Sequence, residues 1–433
     1  MAMLPLVWWL CCVVCAPGGP VQDAPAAAKS EDVGAKIEAW LAPLVEAGDL
    51  SGTLLVARGD EILFEASYGF ANLELGVPNT NETRHCIASI TKPMTAVIAG
   101  KLFETGRLTP TSTLAQWIPD FPRGDKITIE HLLSHRAGIA HRVTTPEQET
   151  VPRTAADMVE LAKAADPIAS PGGASIYSSG GYSVLARVLE LAGGASYGEL
   201  LERFVCKPAG LTRTVHTDGR TVLPGRADSY LPSLEGGSRN VALKDYSFLV
   251  GAGSVYSTAR DLFRMQRAFV SGKLGAGVRS ALMRSNGLRW NGQTGGFRAF
   301  ADFDRETDVT VILVANRISG ANDLVRSNVA SIVAGESLDP ASPPEIRPIT
   351  VDRDALRAYE GVYELRRGST LSARVGDDAL YMDDWVLIPI GEGRFYSPQD
   401  YGTLEFERDE AGTLVALNWG GFRMPRVGSL DGA

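Results

Sequence analysis

The sequence predicts an α+β protein: an antiparallel sheet flanked by helices, a helical subdomain, and a small C-terminal all-β domain. Three observations predict it. Two apolar hairpins lie far apart in the chain, a mostly helical stretch separates them, and a Pro-rich segment precedes a run of short alternating strands.

Val33, Ile37, Trp40, Leu41, Leu44 and Val45 recur at helical spacing within residues 32–47, which predicts an opening amphipathic helix. Gly52–Ala57 and Glu61–Ala66 flank the turn Arg58-Gly59-Asp60 and read as a hairpin. From Ser89 to Glu104, the residues Ala96, Val97, Ala99, Leu102 and Phe103 support a long helix. Lys126–His135 reads as a short helix entered from an extended lead, and residues 155–210 are mostly helical. Gly296–Asp304 and Val309–Ala315 form a second apolar pair, and helical periodicity returns from Asn322 to Ala334. Early and late strands enclosed by terminal helices suggest one antiparallel sheet covered by helices. Residues 336–348 are a Pro-rich linker, followed by short strands such as Gly361–Leu365, Leu371–Val375, Ala379–Met382 and Thr403–Glu407. The expected division is 1–30 signal peptide and flexible lead, 31–335 main domain, 336–348 linker and 349–433 small β domain.

A chain of 433 residues with net charge −9 and no basic stripe is a poor match for nucleic acid or an anionic membrane surface. The apolar run ending near Ala16 is shorter than the roughly 20 residues of a membrane span. It suits the core of a signal peptide, although no Lys or Arg precedes it. Export, periplasmic or secreted, is the expectation. Lipid anchorage at Cys15 is a minor alternative, because Cys12-Val13-Val14 is a poor lipobox, and a frayed cytosolic N-terminus is the bland one. Cleavage would leave Cys86 and Cys206, which either pair or stay buried as small hydrophobes. No Cys/His spacing resembles a zinc site. His131 and His135 stand four apart on one expected helix face, but without the Glu of a His-Glu-x-x-His signature they read as structural or loop-anchoring. No metal or cofactor is expected, and nothing in the sequence specifies an oligomeric state.

Chemistry concentrates in three places. Ser89-Ile90-Thr91-Lys92 is the S-x-x-K of the chain. Taken alone it is as well explained by Ser89 capping a helix. Yet a serine opening a strong helix sits near its positive dipole end, and Lys92 lies one turn on, on the same face. Tyr177-Ser178-Ser179 follows Pro171-Gly172-Gly173 and precedes the apolar helix pattern Tyr182, Val184, Leu185, Val188, Leu189. A tyrosine at such a junction is more often packing. A phenol titrates near 10, so it serves as a base at neutral pH only where a cation such as Lys92 lowers it. Trp290–Phe297 carries Gly292, Gly295 and Gly296 just before an apolar strand, where glycine lets a ligand approach the backbone. By itself it reads as a glycine turn.

Together, Ser89–Lys92, Tyr177–Ser179 and Trp290–Gly292 resemble the three ordered motifs of the serine β-lactamase-like, penicillin-binding family, which includes class C β-lactamases, D,D-peptidases and family VIII carboxylesterases. Ile129–Gly138, Pro208–Thr214 and Gly251–Leu262 resemble further family stretches, so the similarity runs from about 32 to 335. The tail beyond 350 is similar to small β domains appended in that family. The resemblance implies a β-lactamase/D,D-peptidase-like fold and a hydrolase domain over 31–335. It implies an acyl-enzyme on Ser89, with Tyr177 and Lys92 sharing the role of base, and backbone N–H groups of Ser89 and Gln293 as the oxyanion hole. Ser179, Trp290, Asn291 and Gly292 fall at its substrate-binding positions.

Two departures bear on substrate. The third motif of β-lactamases and D,D-peptidases begins with Lys or His and the second usually ends in Asn, whereas this chain has Trp290 and Ser179. A cation there meets a substrate carboxylate. Tryptophan cannot. A Trp-x-Gly motif resembles family VIII carboxylesterases better, and an aromatic wall favours neutral groups. The expected substrate is a small neutral ester; a β-lactam or D-Ala-type peptide is the alternative, and a non-catalytic binding module the second. Gly194-Ala195-Ser196-Tyr197-Gly198 also matches a G-x-S-x-G elbow, but it lies between expected helices, so Ser196 with Glu199 reads as a capping box.

Overall fold

The computed structural model describes residues 30–366, 369–376 and 379–430. The expected signal segment and Cys15 lie outside them. Five strands, β1 (Gly52–Arg58), β2 (Glu61–Tyr68), β3 (Gly287–Thr294), β4 (Phe297–Asp304) and β5 (Val309–Ala315), form an antiparallel sheet in the order β3-β4-β5-β1-β2. The helices that matter here are α1 (Ser30–Glu46), α2 (Thr91–Glu104), α3 (Ile129–Leu133), α4 (Ala155–Ala164), α5 (Ser179–Gly193), α6 (Tyr197–Leu201), α7 (Ala259–Val270) and α8 (Gly320–Val333).

The two distant hairpins meet where β1 pairs with β5, from Gly52 opposite Ala315 to Arg58 opposite Val309. These central strands are covered on both faces, which is why they read as continuous apolar runs rather than alternating ones. On one face α1 and α8 bury Val33, Ile37, Leu41, Val325 and Val329 against Leu54, Val311 and Leu313. On the other face sits the helical region, with α2 near its centre. Nine of the fourteen residues of α2 are buried and only Glu104 is exposed, as befits a helix with neighbours on most sides.

Two local expectations change. The Trp290 segment is an edge strand and not a turn before one: Leu288, Trp290 and Gly292 face inward while Arg289, Asn291 and Gln293 face out, the two-residue period of a strand. The helix at Ile129 ends at Leu133, so His135 lies beyond it, with a left-handed φ of 57°.

No helix or strand occupies residues 336–348. Beyond them, eight antiparallel strands from Gly361–Arg366 to Phe422–Gly428 close into a barrel, the first pairing with the last. Closure removes exposed strand edges, and Tyr363, Leu380, Leu387, Leu404 and Leu417 fill the interior. The barrel docks on the main domain. Tyr401 donates to Asp49 at 2.6 Å, the Gly320 N–H donates to the Pro398 carbonyl at 3.1 Å, and Arg239 donates to the Asp384 carbonyl.

A smaller sheet joins His85–Cys86, Val255–Ser257 and Val215–His216 beneath the start of α2. Cys86 and Cys206 are buried free thiols, which resolves the open question of their pairing. Burial pushes the imidazoles of His85 and His216 from an ordinary 6.5 down to about 4. An unfolded chain therefore takes up protons that the folded one refuses as pH falls from 6.5 towards 4. Stability from these groups is complete above that window and is lost through it. We expect the thermal midpoint to fall steadily between pH ~6.5 and ~4.5, and His216→Gln to flatten part of the slope. A midpoint independent of pH across that range would contradict this account.

Candidate active site

Ser89 lies in the short 3-10 turn Ala88–Ile90 that leads directly into α2. Ala88, just before it, holds φ at 46°, a left-handed conformation that costs a non-glycine residue about 1–2 kcal/mol. The Ile87 N–H donates to the Val255 carbonyl at 2.9 Å, and this ties the turn to the small sheet. Gly292 of β3 presses against the same turn. A Cβ there would stand 2.2 Å from the Ile87 carbonyl oxygen and 3.0 Å from the Ser89 nitrogen. Only glycine lets the strand lie so close.

Lys92 follows in the first turn of α2 and is buried. Its Nζ donates to Ser89 Oγ at 3.1 Å, to Ser179 Oγ at 3.2 Å and to the Ala252 carbonyl at 2.9 Å. Three acceptors match the three N–H bonds of an ammonium. Tyr177 donates to Ser89 Oγ at 2.7 Å, and Lys92 Nζ sits 4.7 Å from the centre of its ring. Lys92 and Tyr177, from two distant segments, thus converge on the Ser89 oxygen, and Ser179 holds Lys92 from the second segment.

Two histidines build the support for Tyr177. Its ring packs 4.6 Å from that of His135 and 5.3 Å from that of His141, centre to centre. The Ser178 N–H donates to His135 Nδ1 at 3.2 Å, and the Ser179 N–H to His141 Nδ1 at 3.3 Å. Ser178 caps α5, accepting from the Gly181 N–H. His131 does something separate: its Nδ1 accepts from the Thr128 N–H in the capping box of α3. Ala252 and His141 escaped the reading of the sequence, although Ala252 lies inside a segment already singled out as family-like.

A cavity of about 250 Å³ opens beside Ser89. Ser179, Gly180, His141, Val143, Met158, Phe248 and Leu249 line it, with Gln293 and Thr294 at the end of β3. Trp290 and Asn291 are not among the lining residues. Trp290 points from the inward face of β3 into the core, edge-on to Phe269 of α7 at 5.4 Å. Asn291 faces the opposite way and accepts from Arg298. Strand alternation accounts for both placements, so Trp290 does not supply the expected aromatic wall and Asn291 does not line the cavity. Among the described residues no cluster of three His, Cys, Asp or Glu is placed to hold a metal. Ser196 lies elsewhere, capping α6 in a reciprocal box with Glu199.

The sheet flanked by helices and the serine-lysine-tyrosine cluster define the class: a protein of the serine β-lactamase and penicillin-binding kind. A family model described as Beta-lactamase matches residues 37–334, and the chain belongs to that family of serine hydrolases. It is 30% identical over 226 residues to a putative penicillin-binding protein, PbpX, of Bacillus subtilis, covering 52% of this chain and 56% of that one. It is 29% identical over 174 residues to the esterase EstB of Burkholderia gladioli, covering 36% and 44%. The matches thus span about half the length of these relatives. The crystal structure of a penicillin-binding protein from Bacillus halodurans superposes with a TM-score of 0.59 at 26% identity, covering 67% of this chain and 98% of that one.

Two substitutions separate support from decoy. Gly292→Ala should displace the Ser89 turn and lower turnover by about a hundredfold, the scale of a 1 Å misplacement. Ser196→Ala should cost about 1 kcal/mol in chemical denaturation through its lost cap while retaining turnover. Loss of turnover in Ser196→Ala with a normal fold would overturn the assignment of the site.

Proposed function

We propose that this protein is a carboxylesterase acting on small neutral esters through an acyl-enzyme on Ser89. One observation carries the reading: Ser89 Oγ is held at 2.7 Å from the Tyr177 hydroxyl and 3.1 Å from Lys92 Nζ. That supplies a nucleophile, a partner for its proton and a fixed positive charge in one place.

In the proposed cycle Tyr177 first gives up to solvent the proton it donates to Ser89 in the resting site; Ser89 Oγ then attacks the ester carbonyl, and its proton passes to the Tyr177 oxygen. Lys92 stabilises negative charge as it builds on Oγ. The oxyanion is met by the backbone N–H groups of Ser89 and Gln293, a pairing supported by the close seating of β3 on the nucleophile turn. Collapse of the adduct breaks the C–O bond, and the alcohol leaves with the proton held by Tyr177. Water then attacks the acyl-enzyme, gives its proton to Tyr177 and releases the acid, with the proton returned to Ser89.

The lining supports a neutral substrate on grounds other than Trp290. Val143, Met158, Phe248 and Leu249 give it apolar surface. Its two cations at the rim are already engaged: Arg142 lies 3.5 Å and Lys244 3.3 Å from the buried Glu149, and Lys244 also 3.8 Å from Asp384. A substrate carboxylate would have to compete with these pairs. A cavity near 250 Å³ falls below the range of drug-sized ligand sites, which favours small acyl groups. The same Lys244 and Arg142 also sustain a second reading, hydrolysis of a β-lactam or D-Ala-type peptide, since either cation can receive a carboxylate if Glu149 yields it. The proposal includes export, carried by the N-terminal apolar run alone. No helix among the described residues is long and apolar enough to cross a membrane.

Comparing p-nitrophenyl acetate and butyrate with nitrocefin tests the substrate. Efficient ester turnover with little nitrocefin cleavage is expected; the reverse defeats the esterase reading. Tyr177→Phe should lower kcat by roughly 10²–10⁴-fold, the range for a general base. A fluorophosphonate should label wild type and spare Ser89→Ala. Failure to label wild type would favour a binding module without turnover.

A further inference from the structure

The far side of the cavity is not built by the hydrolase domain. Asp383, Asp384 and Trp385, at the turn between the barrel strands Leu380–Met382 and Trp385–Gly391, are among its lining residues. The turn is fastened there from below. Arg239 donates to the Asp384 carbonyl and lies over the Tyr381 ring at 5.0 Å. Lys244, itself held by buried Glu149, faces the Asp384 carboxylate at 3.8 Å. On the barrel side, Trp385 packs edge-on to Trp419 at 5.4 Å, and the Trp419 indole N–H donates to Asp400 at 2.7 Å. Asp383 takes a left-handed φ of 50° in the turn and accepts from the Ser372 N–H at 2.9 Å. Both ends of the turn are therefore anchored, one in each domain, and it stands as a fixed wall.

We propose that this barrel turn, with Trp385 as its aromatic element, is the specificity determinant of the Ser89 site and sets the maximum size of the ester it accepts. The inference rests on the esterase reading of Ser89. An indole on the cavity wall offers a flat apolar face to a neutral group, the property the sequence had suggested for Trp290. An immobile wall also rejects long substrates by clash, which discriminates more sharply than an open apolar groove does. Arg239 acts as a positioning residue. It lies outside the cavity lining and its guanidinium bridges to the turn through the Asp384 carbonyl and the Tyr381 ring.

Two substrate series on the full chain test the proposal: p-nitrophenyl esters from acetate to decanoate, which lengthen the acyl group, and acetate esters of progressively larger alcohols. Trp385→Ala should raise kcat/KM for long relative to short members of one series by about tenfold, the lower end of the scale for one methylene admitted to a pocket. The change should fall mainly in KM, and Trp385→Phe should restore much of the wild-type profile. The series that responds shows whether the turn bounds the acyl or the alcohol side. Because Trp385→Ala also removes a contact to Trp419, Arg239→Gln provides the second test. It should shift the same series in the same direction, with the acetate rate kept within about twofold and the barrel interior untouched. If both variants keep wild-type size profiles in both series, while fluorophosphonate still labels Ser89 in each, the wall is overturned and the esterase reading stands. Absence of labelling in wild type overturns the esterase reading instead.

Discussion

The site is organised around one buried cation. Moving an ammonium out of water is expensive unless every N–H finds an acceptor, and a half-satisfied buried charge is worse than none. Lys92 meets that requirement with acceptors from three segments: Ser89 in its own turn, Ser179 at the start of α5, and the Ala252 carbonyl in the loop before Val255. These segments are far apart in the chain, so satisfying one side chain fixes their mutual position. Tyr177, two residues before Ser179, is then carried to the other side of the same serine oxygen. The family's second motif usually ends in Asn where this chain has Ser179, yet a hydroxyl suffices because only one acceptor is needed at that corner.

The same logic explains why the surroundings are stiff. Ala88 is held in a left-handed backbone conformation, which persists only where neighbours over-determine it. Here they do: the Ile87 amide is bonded to Val255 on one side, and β3 lies against the turn on the other through Gly292. His135 and His141 perform the equivalent task for Tyr177, accepting from successive backbone amides while their rings flank the phenol. The Ser89 hydroxyl is thus placed by groups that take no part in the proposed reaction.

How much of this was legible in the sequence follows from the range of the interactions. The α+β class, both hairpins and the opening and closing helices rest on local apolar periodicity, and they appear as read. The Ser89–Lys92 pair is one helical turn, so its proximity was also local. Tyr177 was placed by resemblance, since nothing between it and Ser89 encodes contact. The misreadings are of one kind. Trp290–Thr294 reads from the sequence as a glycine-bearing segment before the apolar strand, and by itself as a glycine turn, whereas it is a strand whose Gly292 marks a close approach to the Ser89 turn. Once that segment is a strand, alternation sends Trp290 into the core against Phe269 and Asn291 to the opposite face. His135 was set on a helix that stops before it. Ala252 contributes a backbone carbonyl, which no side-chain motif can announce.

The barrel exposes a further limit of motif reading. Its strands were visible as alternation, but closure, docking and the reach of one turn into the cavity depend on pairing between Val362 and Gly428 and on contacts with Arg239 and Lys244. The charge arrangement at that junction is economical. Glu149 is almost fully buried and faces two cations, Arg142 and Lys244; Lys244 in turn reaches the carboxylate of Asp384. Holding Glu149 in the interior requires those partners, and the requirement keeps both cations engaged at the rim. On the esterase proposal, a neutral preference then needs no special residue at the third motif. It follows from the way a buried carboxylate in one domain and an acidic turn from the other share the positive charges that an anionic substrate would have needed.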